Sequence, residues 1–81
     1  MVKVTLNGSL RSKAGGQSEF DIDAADIRDL FRQLGELQPK LKPLLDDGVV
    51  VAIDNQIYRD SLFQPLPEGS DVQLLPKLAG G

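Results

Sequence analysis

Val2, Val4 and Leu6 alternate with Lys3 and Thr5, the two-residue period of a strand with one buried face. A polar stretch through Asn7–Gly8 and Gly15–Gly16 interrupts the pattern, and alternation resumes from Gln17 to Ile22 with Phe20 and Ile22 on one face. Two strands joined through a glycine-rich turn predict a hairpin whose loop is longer than the tightest kind. The period then changes. Ile27, Leu30, Phe31, Leu34 and Leu37 come next at helical spacing, with Arg28, Asp29, Arg32, Gln33 and Glu36 on the opposite face. Asp26 stands where an N-cap belongs, Asp29 acts as a short-armed capping-box partner, and Pro39 ends the helix near Gln38. Leu41, Leu44 and Leu45 read as a short irregular turn closing one edge of the core.

Val49–Ile53 is continuously apolar and dense in β-branched residues, so both of its faces are expected to be covered. Alternation puts Val49, Val51 and Ile53 on one face and Val50 and Ala52 on the other. Asp54–Asn55 turns the chain toward a short strand at Ile57–Arg59. Pro65 and Pro67 mark an irregular crossing, and Glu68–Asp71 reads as a turn. Val72, Leu74 and Leu75 form the last strand, stopped by Pro76, and Lys77–Gly81 is left as a tail. The order strand, strand, helix, strand, short strand, strand predicts an α+β domain, a sheet of about five strands with one main helix across a face. The domain is expected at 1–76 and the tail at 77–81.

Composition narrows the chemistry. With 81 residues the chain makes one small domain, which buries only about 60–65% of its unfolded surface and leaves little room for a deep cavity. It contains no cysteine and no histidine, which removes thiolate nucleophiles, disulfides, the commonest general base and the commonest zinc ligand. The net charge of −3 comes with scattered Lys and Arg, so no basic stripe suits a nucleic acid. No apolar run reaches the length of a membrane span, and the N-terminus lacks a signal-peptide core. The expected partners therefore include neither nucleic acid nor membrane, and the expected location is the cytoplasm.

Three stretches carry a resemblance. Ser9–Leu10–Arg11 with Gly15–Gly16, Asp26–Leu30, and the closing set Leu66, Gly69, Val72, Leu75–Pro76 and Ala79–Gly80–Gly81 together resemble the ubiquitin-like sulfur carriers. That family includes the small subunit of molybdopterin synthase and the carriers of thiamine and cysteine biosynthesis. The ending Leu-Pro-x-x-Ala-Gly-Gly is its specific part. The resemblance implies a β-grasp fold and a non-enzymatic carrier with no permanently bound cofactor. It implies that a partner resembling the ubiquitin-activating enzymes uses ATP to adenylate the Gly81 carboxylate. A sulfur donor then displaces AMP, and the resulting thiocarboxylate serves a sulfur-accepting synthase subunit. Catalytic groups and Mg²⁺ would belong to the partner. Adenylation splits one difficult acyl transfer into two easier steps.

Gly80 and Gly81, lacking Cβ atoms, let backbone pass through a narrow channel, and an extended run from Pro76 reaches roughly 15–18 Å. Leu78 and Ala79 would anchor the tail in a partner's groove, with Lys77 as a rim contact. The sheet face opposite the helix is the expected docking surface, with Phe63 and Leu75 extending it. A molybdopterin-type carrier is the leading expectation. Departures from that type at Asn7, Asn55–Gln56 and Lys77, and the similarity of Gly16–Gln17 and Ile53–Asp54–Asn55 to the cysteine-pathway carriers, keep the cysteine and thiamine pathways as alternatives. A modifier conjugated to lysines and a stand-alone interaction module are the others. Asp46–Asp47, the Asp21, Asp23 and Asp26 set, and Gly15–Gly16 are explained by solvated turns and a helix cap, and no metal site is expected.

Overall fold

The computed structural model describes residues 1–59 and 61–76. Strands β1 (Val2–Leu6), β2 (Glu19–Ile22), β3 (Val49–Ile53), β4 (Gln56–Tyr58) and β5 (Asp71–Pro76) form one sheet in the order β2-β1-β5-β3-β4. The first and last strands lie side by side and parallel, from Lys3 opposite Asp71 to Leu6 opposite Leu74. All other pairings among these strands are antiparallel, so the sheet is mixed.

Alternation sends Val2, Val4, Leu6, Phe20, Ile22, Val51, Ile53, Val72 and Leu74 to one face, where all are buried. Helix α2 (Ile27–Leu37) lies across that face and contributes Ile27, Leu30 and Leu34. Gly35 is buried as well, with the Lys42 stem against it. Leu37, at the end of the apolar stripe, is 58% exposed.

At the N-terminus of α2 the N–H groups of Ile27, Arg28 and Asp29, which a helix start leaves without intrahelical partners, all find acceptors. Asp29 N donates to Asp26 Oδ1 at 2.8 Å, and Leu30 N donates to the Asp26 carbonyl. Ile27 N and Arg28 N donate to the carbonyls of Gln64 and Leu62. The crossing segment around Pro65 is thereby fastened to the helix, and Leu66 N returns a bond to the Ala25 carbonyl. The capping box closes one residue earlier than expected: Asp29 Oδ2 accepts from Ala25 N at 3.1 Å, not from Asp26 N.

Several sequence expectations change. The glycine-rich loop after β1 contains a short helix, α1 (Ser9–Lys13), whose Leu10 is fully buried. A single apolar residue in a five-residue helix leaves no periodicity to read. The expected irregular turn is a 3₁₀ turn at Pro39–Leu41 running into α3 (Lys42–Asp47), with Leu41 and Leu45 buried. Strand β4 begins at Gln56, one residue earlier than predicted, because Asp54 and Asn55 (φ 48° and 73°) make a two-residue hairpin turn. The expectation that both faces of β3 are covered is overturned: Val51 and Ile53 are buried, while Val50 and Ala52 remain half-exposed on the other face.

The start of α2 is testable at two residues. Asp26→Ala removes the cap and should cost about 1 kcal/mol, lowering the melting temperature by about 4–8 °C in a domain of this size. Asp26→Asn, an equally good cap, should restore it. The Asp29 carboxyl is held below the usual aspartate value of 3.8, first by the Ala25 N–H and then by the Arg32 guanidinium. A depressed folded pKa stabilises above the unfolded value, and that contribution is lost as pH falls through the folded one. Urea midpoints taken from about pH 7 to about pH 2 should therefore fall more steeply for the wild type than for Asp29→Asn. Parallel curves would show that the Asp29 charge contributes nothing.

Candidate functional site

Strand β5 occupies the middle of the sheet, so the chain leaves the domain from the interior of the sheet, away from its two edges. Pro76, the last described residue, is opposite Val49 of β3. On its other side lies the segment after β1. Asn7 N donates to the Leu74 carbonyl at 3.0 Å, and Asn7 Nδ2 approaches the same oxygen at 3.4 Å. Lys77, Leu78, Ala79, Gly80 and Gly81 lie outside the described residues, so the expectations placed on them stand as proposals. What the structure supplies is their point of departure.

The open face of the sheet divides into two halves. Over β2 and β1 it carries Lys3, Thr5, Glu19 and Asp21, with Lys3 Nζ 3.2 Å from Glu19 Oε1. Asp71 and Gln73 continue this polar character onto β5. Over β3, β4 and the end of β5 the face is apolar. Val50 is paired with Leu75, and Ala52 with Ile57. Ile57 is 61% exposed and Leu75 37%, so this apolar surface lies open in the isolated chain, adjoining the residue from which the tail continues.

Of the predicted partner-binding residues outside the tail, Leu75 therefore sits on the open face. Phe63 does not share it. It lies by the first turn of α2 and is 73% exposed, with the Arg28 guanidinium 5.9 Å from its ring centroid, on the side of the sheet that carries the helix. The hydrogen bond from Arg28 N to Leu62 O places it there. Ile57, which the sequence pattern identifies only as part of a strand, is a member of the open apolar face. Its place opposite Ala52 is set once the Asp54–Asn55 turn fixes the hairpin register.

On the helix side a groove of about 240 Å³ runs between α2 and β3–β4, lined by Ile27, Phe31, Leu45, Val51, Tyr58 and Leu62. Its walls are mainly apolar, with Asp46, Tyr58 and Ser61 as the polar side chains, and no pair of carboxylates lines it. Among the described residues no cluster of carboxylates is arranged to hold a metal ion.

Comparison with known proteins agrees with this architecture. The small archaeal modifier protein 1 of Methanosarcina acetivorans superposes with a TM-score of 0.83 at 24% identity, covering 99% of this chain and 95% of that one. The Amycolatopsis orientalis BexX/CysO complex contains a chain that matches with a TM-score of 0.79 at 19% identity, each chain covered completely. The complex of subunits 1 and 2 of molybdopterin-converting factor from Helicobacter pylori contains a chain with a TM-score of 0.69 at 29% identity, covering 99% and 97%. A comparison with curated proteins finds no match. The model of the ThiS family matches residues 4–81, from the first strand through the terminal Gly-Gly. The chain belongs to the ThiS family.

Proposed function

We propose that this protein is a sulfur carrier whose reactive group is the Gly81 carboxylate. The observation that carries the reading is the extent of the family match, which runs through the sheet and ends on Gly81 itself. The fold agrees with it. A chain with neither histidine nor cysteine lacks the commonest general base and the thiolate nucleophile. Its last strand delivers the terminus from the centre of the sheet beside an open apolar face.

In the proposed cycle a carboxylate oxygen of Gly81 attacks the α-phosphorus of ATP on a partner enzyme and pyrophosphate leaves. A sulfur nucleophile then attacks the carbonyl carbon, and AMP departs with one of the former carboxylate oxygens. The product is a thiocarboxylate. The carrier's part is to dock through Val50, Ala52, Ile57 and Leu75 and to present its end. Lys77, Leu78 and Ala79 would seat the tail in the partner, with Gly80 passing through the narrowest part of the channel. Synthesis of molybdopterin is the proposed destination of the sulfur, supported by the 29% identity to a chain of the Helicobacter pylori factor. A second reading, a modifier joined to lysines, is favoured by the likeness to the archaeal modifier protein.

Intact mass of the protein from its native host should show a fraction heavier by the difference between one sulfur and one oxygen, absent when Gly81 is deleted. If only the carboxylate form appears even with an adenylating enzyme, ATP and a sulfur donor supplied, the carrier reading fails. High-mass conjugates ending at Gly81 would then favour the modifier. Leu75→Glu should raise KM for the carrier in adenylation by about tenfold, equivalent to about 1.4 kcal/mol, with little change in melting temperature. Thr5→Glu, on the polar half of the same face, should stay within about twofold, as ordinary surface substitutions do.

A further inference from the structure

Residues 7 and 8 meet the end of β5 at two points. Asn7 holds the Leu74 carbonyl through its backbone N–H, and Gly8 lies against the Pro76 ring. A methyl group built on Gly8 would stand 3.1 Å from Pro76 Cγ and 3.4 Å from Cδ, tighter than most real side-chain contacts, so the ring would have to shift by a few tenths of an ångström. The Gly8 backbone has φ 61° and ψ −133°, a conformation essentially reserved for glycine. Its carbonyl accepts from Arg11 N at 3.1 Å and so starts α1. The glycine thus turns the chain from β1 into α1 and, in turning, leaves a shallow seat that the proline ring occupies.

Pro76 is the last residue before the tail, and its ring fixes its own φ near −65°. It is flanked on both sides, by Val49 opposite it in the sheet and by Gly8 against its ring. We infer that Gly8 is a positioning residue for activation: by seating the Pro76 ring it sets the direction in which the chain leaves the domain toward the partner's active site. The inference rests on the carrier reading above. Docking is assigned to the open face and aim to the Gly8–Pro76 contact, so the two should separate kinetically. A misdirected reactive group is slow even when it is tightly bound.

The test has two parts. In the free protein, nuclear Overhauser contacts between Gly8 Hα and Pro76 Hγ should be present, and their absence overturns the inference. The second part measures pyrophosphate–ATP exchange with an adenylating enzyme of the ubiquitin-activating type from the same genome. Gly8→Ala should lower kcat by about tenfold or more while KM stays within about twofold. Pro76→Ala should also lower kcat, and the double variant should be no slower than the slower single one, since without the ring there is nothing left to displace. Losses that multiply in the double variant, or a folded Gly8→Ala protein with wild-type kcat, overturn the inference. Should Gly8→Ala fail to fold, Pro76→Ala decides alone: an unchanged kcat sinks the proposal, and a lowered kcat at unchanged KM supports it. A wild type that gives no exchange with such an enzyme sinks the activation reading itself, and any role of Gly8 in activation with it. An active wild type with insensitive variants sinks only the role of Gly8.

Discussion

Everything in this molecule depends on the pairing of its first strand with its last. Lys3 to Leu6 lie beside Asp71 to Leu74 in a parallel ladder, a contact between residues almost the whole chain apart. Closing so long a loop costs entropy, though the cost grows only slowly with length. Offsetting it is the burial of Val2, Val4, Leu6, Val72 and Leu74, each at most 2% exposed. Antiparallel neighbours could be joined by a tight turn, but a parallel pair needs a crossover, and the intervening chain uses that requirement to lay α2 across the face both strands bury. The same ladder sets where the chain leaves the sheet. It brings the end of β5 level with the end of β1, so Pro76, the last described residue, lies between Gly8 and Val49.

The second constraint is the accounting of polar groups where α2 begins. Two of its first N–H groups are taken by Asp26 and two by carbonyls of the segment carrying Leu62 and Gln64. That segment has little regular structure of its own, and Pro65 and Pro67 limit what it can form. The helix gives it partners, and it leads the chain into β5. Phe63 belongs to this arrangement: it lies under Arg28 as a consequence of how the crossing is fastened. An exposed aromatic that the sequence suggests for the docking face is for that reason found on the helix side.

How much could be read in advance depends on which interactions are periodic. The strands, α2 and its Asp26 cap were legible because many side chains repeat one signal: alternation through Val2–Leu6, and helical spacing from Ile27 to Leu34. Helix α1 was not, since Leu10 is its one buried residue and Gly8 announces a turn but not the helix behind it. Val49–Ile53 misled for a different reason. Continuous apolarity is the mark of a strand covered on both faces, yet here one face is covered by the fold and the other is left open. Of the site, the terminal motif was visible as a motif, whereas the seat for Pro76 was not. That contact joins positions 8 and 76 across the parallel ladder, and no local pattern encodes it.

The open apolar face can be weighed against a control within the same sheet. Over β1 and β2 the outward positions are Lys3, Thr5, Glu19 and Asp21, so the fold accepts polar and charged side chains at this layer without disturbing the core beneath. Asp71 and Gln73 carry that polar character onto β5, whereas over β3, β4 and the end of β5 the equivalent positions are Val50, Ala52, Ile57 and Leu75. Burial of the core does not by itself account for that difference, because Val51, Ile53, Val72 and Leu74 are buried beneath the apolar half as Val2, Val4, Leu6, Phe20 and Ile22 are beneath the polar one. β-propensity accounts for part of it, favouring Val and Ile in any strand, but it favours neither Leu75 nor Ala52. The remaining explanation is a surface meant to be covered by something else, and it borders the residue from which Lys77–Gly81 continues. Under the proposed carrier function, recognition and chemistry lie side by side, one on the open face of the sheet and the other on the tail that continues from its central strand.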